Sequence, residues 1–214
     1  MNILITAATE FEIEPFLQQH PGTEFLITGV GAPMAVYQLA KRLIQTKYDL
    51  VIQAGIAGSF LPSLEPGRIV FVNQDCFADL GISEQHNIST LFEKGFADPD
   101  DFPFSDGWLK NPESIMDVFP IEKVTGITVN TITDNLEMIN HLSAKFKPAI
   151  ETMEGAALHY VCLQEKISFL QVRSVSNDVG ERNKSKWKMK EAVENLNATL
   201  LNMVGYLARQ NLKS

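Results

Sequence analysis

The chain has 214 residues with a formal net charge of −8 at pH 7, and 45% of its residues are hydrophobic. This length and composition predict one globular domain, residues 1–214, with enough chain to bury a core. The acidic balance argues against general binding to nucleic acids or to membrane surfaces, because both are anionic.

The cysteines, the histidines and the N-terminal residues narrow the class further. No Lys or Arg precedes Lys41, so a secretory signal is not expected, and no apolar run is long enough to span a bilayer. Cys76 and Cys162 lie far apart in apolar stretches, which predicts buried thiols in a reducing cytoplasm. The histidines are scattered, at His20, His86, His141 and His159. They show no ligand spacing, so a metal site is not expected.

The first part of the chain alternates apolar runs with helical patterns. Strands are predicted at residues 2–6, 24–28 and 49–54, and a helix at residues 34–46. Thr9 and Glu12 have the T-x-x-E spacing of a capping box, which predicts another helix starting at Thr9. After the third strand, Gly55, Gly58 and Ser59 predict a loop whose glycines allow the backbone to approach a ligand closely.

The middle of the chain is less regular. A strand is predicted at residues 69–72, and residues 81–106, rich in acids and prolines, predict a long surface excursion. Residues 106–118 predict a helix broken near Pro112. A further strand at residues 123–128 then ends in a polar segment.

The last part of the chain contains the most informative elements. A helix is predicted at residues 136–146, strands at 148–152 and 169–175, and a final helix from 189 to 207. The run that follows Glu154 is apolar almost all round, which predicts a buried helix. The strand after it carries Arg173 as its one charge and is expected to end in a polar turn at Ser176, Asn177 and Asp178. The alternation of elements predicts an α/β layer fold.

Glu154 and Asn177 mark the two ends of this helix–strand unit. In open α/β sheets, ligands bind where strands end and helices begin, so both side chains are candidates to contact a ligand. Equally, Glu154 could interact with the positive N-terminal end of a helix dipole, and Asn177 could simply form part of a turn. The chain has no P-loop, dinucleotide fingerprint or G-x-S-x-G motif. Carboxylates and amides at strand ends suit loss of a base from a sugar, whose transition state gathers positive charge.

Four stretches resemble the purine nucleoside phosphorylase and nucleosidase superfamily. They are T-A-A-T-E-F-E from Thr6, A-G-I-A-G-S from Ala54, M-E-G-A-A from Met153 and R-S-V-S-N-D from Arg173. Three further stretches look like the futalosine hydrolases of a route to menaquinone: F-A-D-L-G-I from Phe77, G-I-T-V-N-T-I-T from Gly126 and V-G-E-R-N-K-S-K-W from Val179. The resemblance implies one domain with a central mixed, partly barrel-like sheet flanked by helices. It also implies a small nucleoside substrate, no cofactor, a cytoplasmic location and a homo-oligomer.

The resemblance also implies roles for individual residues. Glu12 matches the acid that activates the attacking water, and the same side chain has the capping-box role. Glu154 matches the acid that binds the ribose 2′ and 3′ hydroxyls, and Met153 the neighbour that packs on the sugar. The glycine segment with Gly55, Gly58 and Ser59 matches the region of the water or, in phosphorylases, the phosphate. The segment from Asn130 to Thr133, which includes Thr131, matches a wall of the base and sugar site.

Two arginines have weaker assignments. Arg173 is expected to steady the base-reading turn, although an ordinary ion pair at the strand end is an equal alternative. Arg182, with Trp187 beside it, is a candidate for the carboxylate arm of futalosine. The alternative is that Arg182 belongs to a solvated basic cluster with the lysines that follow it.

Asn177 is the main departure from adenine-releasing nucleosidases, which have Asp at this position. A carboxamide cannot act as an acid, but it can donate N–H to a purine O6 while its carbonyl faces a protonated N7. Asn177 therefore predicts a 6-oxopurine, hypoxanthine or guanine, and disfavours a methylthioadenosine nucleosidase.

The nucleophile is predicted from the distribution of cations. Phosphorolysis needs cationic donors, and no Lys or Arg occurs before Lys41 or between Lys47 and Arg68. This absence favours water unless a neighbouring subunit supplies an arginine. The sequence leaves three alternatives open: a 6-oxopurine nucleoside phosphorylase, a non-catalytic nucleoside-binding module, and a methylthioadenosine/S-adenosylhomocysteine-type nucleosidase, against which Asn177 speaks.

Overall fold

This computed structural model describes residues 1–85, 87–112 and 114–211, in which strands and α-helices alternate except over residues 60–121. The strands there are β1 (Ile3–Ala7), β2 (Phe25–Ile27), β3 (Leu50–Ser59), β4 (Ile69–Asp75), β5 (Gly81–Glu84), β6 (Asn87–Thr90), β7 (Leu109–Lys110), β8 (Glu122–Thr128), β9 (Ile150–Thr152) and β10 (Ser168–Asp178). The α-helices there are α1 (Glu10–Gln19), α2 (Ala32–Gln45), α3 (Leu136–Phe146), α4 (Gly155–Glu165) and α5 (Met189–Asn211). Two residues in predicted segments, His86 and Glu113, lie outside the described residues.

Strand β3 organises the central sheet. It pairs in parallel with β10 along its whole length, with β1 over its first half, and antiparallel with β9 at Gly58 and Ser59. The sheet then closes on itself through β4 and β8: β10 pairs with β4, β4 pairs with β8, and β8 pairs with β9, which pairs with β3. The sheet is therefore mixed and partly closed, as predicted.

Helices cover both faces of this sheet. On one face α1 and α5 pack together over β1, β3, β4 and β10, with Phe16 and Leu196 in their shared core. On the other face α2 packs against α4, whose residues from Gly155 to Cys162 are almost all buried, as its all-round apolar sequence predicted. Cys76 and Cys162 are both buried and unpaired, so the predicted burial of the two thiols is confirmed. Within the described ranges, no helix is long and apolar enough to cross a membrane.

Two predicted loops at the ends of strands are strand instead. The segment that holds Gly55 and Gly58 continues β3 to Ser59, and residues 176–178 continue β10. The two extensions pair with each other, with Asn177 opposite Gly58 and a register shift just before Asn177. Glycine and Asn-Asp are turn signals by local propensity, but here the ladder between two long parallel strands outweighs that propensity.

The middle of the chain also differs from prediction. Residues 106–118 were expected to form a helix, but Leu109–Lys110 form β7 against β4, and only Ser114–Val118 form a helix, of the 3-10 type. Pro112 cannot donate a helical hydrogen bond, which accounts for the break between the two. The surface excursion at residues 81–106 begins with the hairpin of β5 and β6.

Helix α4 begins against a buried polar pair, which leaves no room for a side chain at Gly155. A Cβ there would lie 2.2 Å from both Asp75 Oδ2 and Gln171 Nε2. We expect Gly155→Ala to lower the free energy of unfolding by about 1–3 kcal/mol, the usual cost of overpacking. Gly205→Ala is the matched control, because a Cβ at Gly205 in α5 would meet nothing nearer than Arg209 Nη1 at 3.6 Å. Urea unfolding measures both, and equal effects of the two substitutions would contradict this prediction.

Candidate functional site

A cavity of about 420 Å³ opens at the carboxyl ends of β3, β9 and β10. Its walls come from the first turn of α1, from β3 at residues 56–58, from residues 151–154, which end β9 and precede α4, and from the end of β10. This position is where ligands bind in sheets of this kind, and the volume suits a small molecule. A separate groove of about 700 Å³ follows α2 and is lined mainly by apolar side chains.

Glu12 is buried in the wall of this cavity and is held through both carboxylate oxygens. Its Oε2 accepts hydrogen bonds from the backbone N–H of Thr9 at 2.9 Å and from the Thr9 hydroxyl at 3.0 Å. Its Oε1 accepts from the backbone N–H of Ile56 at 3.1 Å. The capping role and a role in the cavity are therefore compatible, because a different oxygen serves each.

Because Gly55 has no side chain, Glu12 and Arg173 can both approach β3 at this position. A Cβ at Gly55 would lie 2.1 Å from Arg173 Nη1 and 2.9 Å from Glu12 Oε1. Arg173 is 1% exposed and donates through Nη2 to Gln53 Oε1, while Gln53 Nε2 donates to the backbone carbonyl of Glu154 at 3.3 Å. The arginine thus lies behind the wall of the cavity, close to Glu12, and is linked through Gln53 to the backbone of Glu154.

Glu154 is the residue that precedes α4 and is 6% exposed. Its Oε1 accepts from the backbone N–H of Gly31 at 2.8 Å. Gly31 has φ +99°, a conformation that favours glycine, and this geometry aims the N–H at the carboxylate. Burial raises the pKa of Glu154, and the nearby Arg173 guanidinium and the Gly31 N–H offset part of the rise.

Asn177 is half-buried, and its amide orientation is fixed by its neighbours. Its Nδ2 donates to the backbone carbonyl of Asp178 at 2.8 Å, and its Oδ1 accepts from the Ser176 hydroxyl at 2.7 Å. Because a backbone carbonyl can only accept, the amino group must be the side that faces Asp178. One amide hydrogen and one carbonyl lone pair remain for a ligand.

The structure brings together six of the eleven predicted site residues. The residues that line the cavity are Glu12, Gly58, Met153, Glu154, Asn177 and Arg182. Gly55 and Arg173 lie directly behind its wall, as described above. Arg182 is the one cationic side chain among the described residues that line the cavity.

The remaining three predicted site residues lie elsewhere, which corrects the prediction. Ser59 is 2% exposed, and its hydroxyl hydrogen-bonds to the backbone of Leu61 rather than to the cavity. The backbone N–H groups of Asn130 and Thr131 donate to the carboxylate of Asp79, and Asn130 lines the groove along α2. Ile132 and Thr133, which belong to the same predicted wall segment, do line the cavity.

Sequence reasoning did not assign several further residues to the site. The ones that contact its acids or line it are Thr9, Gly31, Gln53, Glu151 and Ser176. Gln53 and Glu151 carried a usable signal, since each is a polar side chain in an apolar strand, and buried polar groups need partners. Gly31 had no such signal, because its partner Glu154 is 123 residues away along the chain.

Asp75 belongs to a buried polar cluster beneath α4. Its Oδ1 accepts from the Thr128 hydroxyl at 2.9 Å and from the Cys76 N–H at 2.8 Å, and its Oδ2 accepts from Gln171 Nε2 at 3.2 Å. Burial raises the pKa of Asp75 from 3.8 to about 7, although these hydrogen bonds lower it. The folded protein therefore holds this proton more tightly than the unfolded chain does.

This shift predicts a pH dependence of stability. A raised carboxyl pKa contributes stability that is present below the unfolded pKa and is lost as the pH rises through about 7. We expect Asp75→Asn to reduce the fall in unfolding free energy between pH 5 and 7 by up to ~1.4 kcal/mol per pH unit. The unpartnered Gln171 Oε1 can turn to accept from the new amide, so the cluster stays satisfied. Urea unfolding at several pH values measures this, with exposed Asp178→Asn as control; an unchanged slope for Asp75→Asn would contradict it.

Comparisons with known proteins identify the family. The model of the phosphorylase superfamily matches residues 25–205. A futalosine hydrolase from Thermus thermophilus is 26% identical over 210 residues, covering 90% of this chain and 91% of that protein. A 5′-methylthioadenosine/S-adenosylhomocysteine nucleosidase from Colwellia psychrerythraea is 29% identical over 203 residues, covering 88% and 82%. Both relatives are nucleosidases, that is, N-glycosyl hydrolases.

A solved structure shows the same fold. The futalosine hydrolase of Helicobacter pylori strain 26695 superposes with a TM-score of 0.78 at 17% identity, covering 95% of this chain and 97% of that one. At this identity the likeness concerns the fold alone. Because the family model spans most of the chain and the architecture agrees with it, the protein belongs to the phosphorylase superfamily.

Proposed function

We propose that the protein hydrolyses the N-glycosidic bond of futalosine, releasing hypoxanthine and dehypoxanthinylfutalosine, in menaquinone biosynthesis. The observation that carries this proposal is that Glu12, Glu154 and Asn177 line one cavity. In this proposal the cavity combines an acid that activates water, an acid that binds the sugar and a carboxamide that binds the base. The futalosine hydrolases among the relatives support the substrate.

In the proposed reaction, Glu12 orients and deprotonates the attacking water. Water attacks C1′ as the C1′–N9 bond breaks, and the electron pair of that bond leaves with the purine. The water proton passes to Glu12. N7 of the purine takes a proton from solvent, and the base then leaves the site. The buried carboxylates stabilise the positive charge that develops on the sugar, and a low-dielectric site strengthens this effect.

Glu154 and Met153 would hold the ribose. One carboxylate oxygen of Glu154 is engaged by Gly31, which orients the group and leaves the other oxygen for the 2′ and 3′ hydroxyls. Arg173 and Gln53 would act as positioning residues behind the wall, since Arg173 donates to Gln53 and Gln53 donates to the backbone carbonyl of Glu154.

Water is the proposed nucleophile because the cavity offers little to a phosphate. Around the cavity, Arg182 is the one cationic side chain that the described residues supply, and three buried glutamates face the same space. A phosphate dianion would meet net negative charge there. This supports hydrolysis over phosphorolysis.

A 5′-methylthioadenosine/S-adenosylhomocysteine nucleosidase is the second candidate. Relatives with that name match this chain at identities similar to those of the futalosine hydrolases. Against it stands Asn177, which cannot protonate N7 of adenine and presents an N–H toward the 6-position.

A substrate panel tests the proposal. Futalosine, aminofutalosine, inosine and methylthioadenosine are incubated with the protein, with and without phosphate, and the free base is quantified. We expect hypoxanthine from futalosine at a rate that phosphate does not change. Dependence on phosphate would establish a phosphorylase, and preference for methylthioadenosine would establish the second candidate. Release of no base from any of the four would remove the catalytic proposal.

Arg182 is proposed to bind the carboxylate arm of futalosine, because it lines the cavity and no acidic residue within 4.0 Å pairs with it among the described residues. We expect Arg182→Ala to lower kcat/KM for futalosine by about tenfold, the order of one charged contact, and to spare inosine, which lacks the arm. Lys184→Ala is the control from the same basic segment. Equal losses on both nucleosides would contradict this role.

A further inference from the structure

The first two backbone N–H groups of α4 are capped by hydroxyl groups from neighbouring strands. Glu154 occupies the N-cap position, where a side-chain oxygen commonly accepts from the second or third N–H of the helix, yet its side chain makes no such bond. Instead the Thr128 hydroxyl, on β8, accepts from the Ala156 N–H at 2.7 Å. The Thr152 hydroxyl, on β9, accepts from the Gly155 N–H at 3.1 Å. The carboxylate of Glu154 is therefore not used as a cap.

The hydrogen bonds between these two hydroxyl groups run in one direction. Thr128 donates its single hydrogen to Asp75 Oδ1 at 2.9 Å. The contact of 3.3 Å between the Thr128 and Thr152 hydroxyls must therefore be donated by Thr152, because a hydroxyl has one hydrogen and two acceptor sites. Both acceptor sites of Thr128 are then filled, by Thr152 and by the Ala156 N–H. The Asp75 carboxylate thus fixes the orientation in which Thr128 meets the start of α4.

Glu154 lines the cavity, and the proposed reaction assigns its carboxylate to the ribose. Without the Thr128 hydroxyl, the Ala156 N–H would be a buried donor with no partner at the positive end of α4. Glu154 is the acid at the N-cap position of that helix, so its carboxylate would be drawn back to cap it and away from the sugar. Resting on the proposed function, we propose that Thr128, oriented by Asp75, is a positioning residue that keeps Glu154 directed at the ribose hydroxyls.

Thr128 can act on a substrate only through the residues that it holds. It is 0% exposed and does not line the cavity. Loss of its hydroxyl should therefore weaken recognition of the two ribose hydroxyls and leave recognition of the rest of the nucleoside unchanged. A merely structural role would weaken the binding of every ligand alike.

Calorimetric titration of C-nucleosides tests this assignment without turnover, because their C–C glycosidic bond is not hydrolysed. The probes are 9-deazainosine and 2′,3′-dideoxy-9-deazainosine, which lacks both ribose hydroxyls. We expect Thr128→Val to weaken binding of 9-deazainosine about tenfold, the order of one hydrogen bond to a charged group, and to change binding of the dideoxy probe by less than about twofold. Thr128→Ser keeps the hydroxyl and should restore wild-type binding. Equal weakening of both probes, or an unchanged preference for the hydroxylated one, would overturn the proposal.

Thr6→Val is the matched control. Thr6 is as buried as Thr128, and its hydroxyl has no hydrogen-bond partner, so the substitution makes the same chemical change without removing a cap of α4. We expect it to leave the binding of both probes unchanged. Thr152→Val removes the other cap and is expected to show the same selective loss as Thr128→Val, so the test does not depend on the folding of one variant. Urea unfolding establishes that each variant is folded under the titration conditions.

The corresponding pair of 9-deazaadenosines makes the test independent of which purine the site prefers. A wild type that binds the hydroxylated and dideoxy probes equally would contradict both this inference and the sugar role of Glu154 in the proposed function. A wild-type preference for the hydroxyls that survives in Thr128→Val would remove this inference and leave the proposed function intact. A protein that shows the selective loss yet cleaves nucleosides only with phosphate would keep this inference and lose the proposed hydrolysis.

Discussion

Glu12→Gln is expected to lower kcat for futalosine hydrolysis by about 10³-fold, because a carboxamide cannot take the proton of the attacking water. The KM should change little, since Glu12 faces the water rather than the sugar or base in the proposed reaction. Glutamine also has only one acceptor oxygen for two sets of donors, those of Thr9 and the N–H of Ile56. We therefore expect a separate loss of about 1 kcal/mol in unfolding free energy.

Single-turnover kinetics and urea unfolding separate these two effects. Glu10→Gln is the matched control, because Glu10 lies in the same first turn of α1 but is exposed and outside the cavity. A Glu12→Gln protein with kcat within tenfold of the wild type would exclude Glu12 as the base. The attacking water would then have to be activated by another group of the cavity.

Asn177→Asp is expected to shift preference from 6-oxopurine to 6-aminopurine nucleosides by about 10²-fold or more in the ratio of kcat/KM values. The new carboxyl oxygen would face the carbonyl of Asp178, where the Asn177 amide now donates at 2.8 Å. Two oxygens at that distance repel unless one carries a proton. The site would therefore favour the protonated acid, and its proton would be transferred to N7 when the carboxyl turns from the Asp178 carbonyl toward the departing adenine.

Competition assays with inosine and adenosine measure this shift directly. Asp178→Asn serves as the control, because Asp178 is adjacent and exposed and is not part of the cavity wall. If Asn177→Asp reduced the rates for both nucleosides equally, Asn177 would have a structural role at the end of β10 and no role in reading the base.

The elements with a strong local pattern could be predicted from the sequence. Helix α3 has the predicted bounds, and the all-round apolar run of α4 is buried as expected. The T-x-x-E spacing at Thr9 and Glu12 produced the predicted contact at the start of α1. These features depend on neighbours three or four residues apart, which a sequence displays directly.

The sequence by itself determined the alternation of strands and helices, the buried helix and the identity of the acids and the carboxamide, because local periodicity and residue chemistry encode them. Only the tertiary structure decided which of those groups share a cavity. The ladder of β3 with β10 and β9 turned two predicted loops into strand, and it set Glu151 and Asn177 on either side of Gly58. Register between strands more than 90 residues apart in the chain depends on packing of the whole sheet, so no local pattern could have shown it.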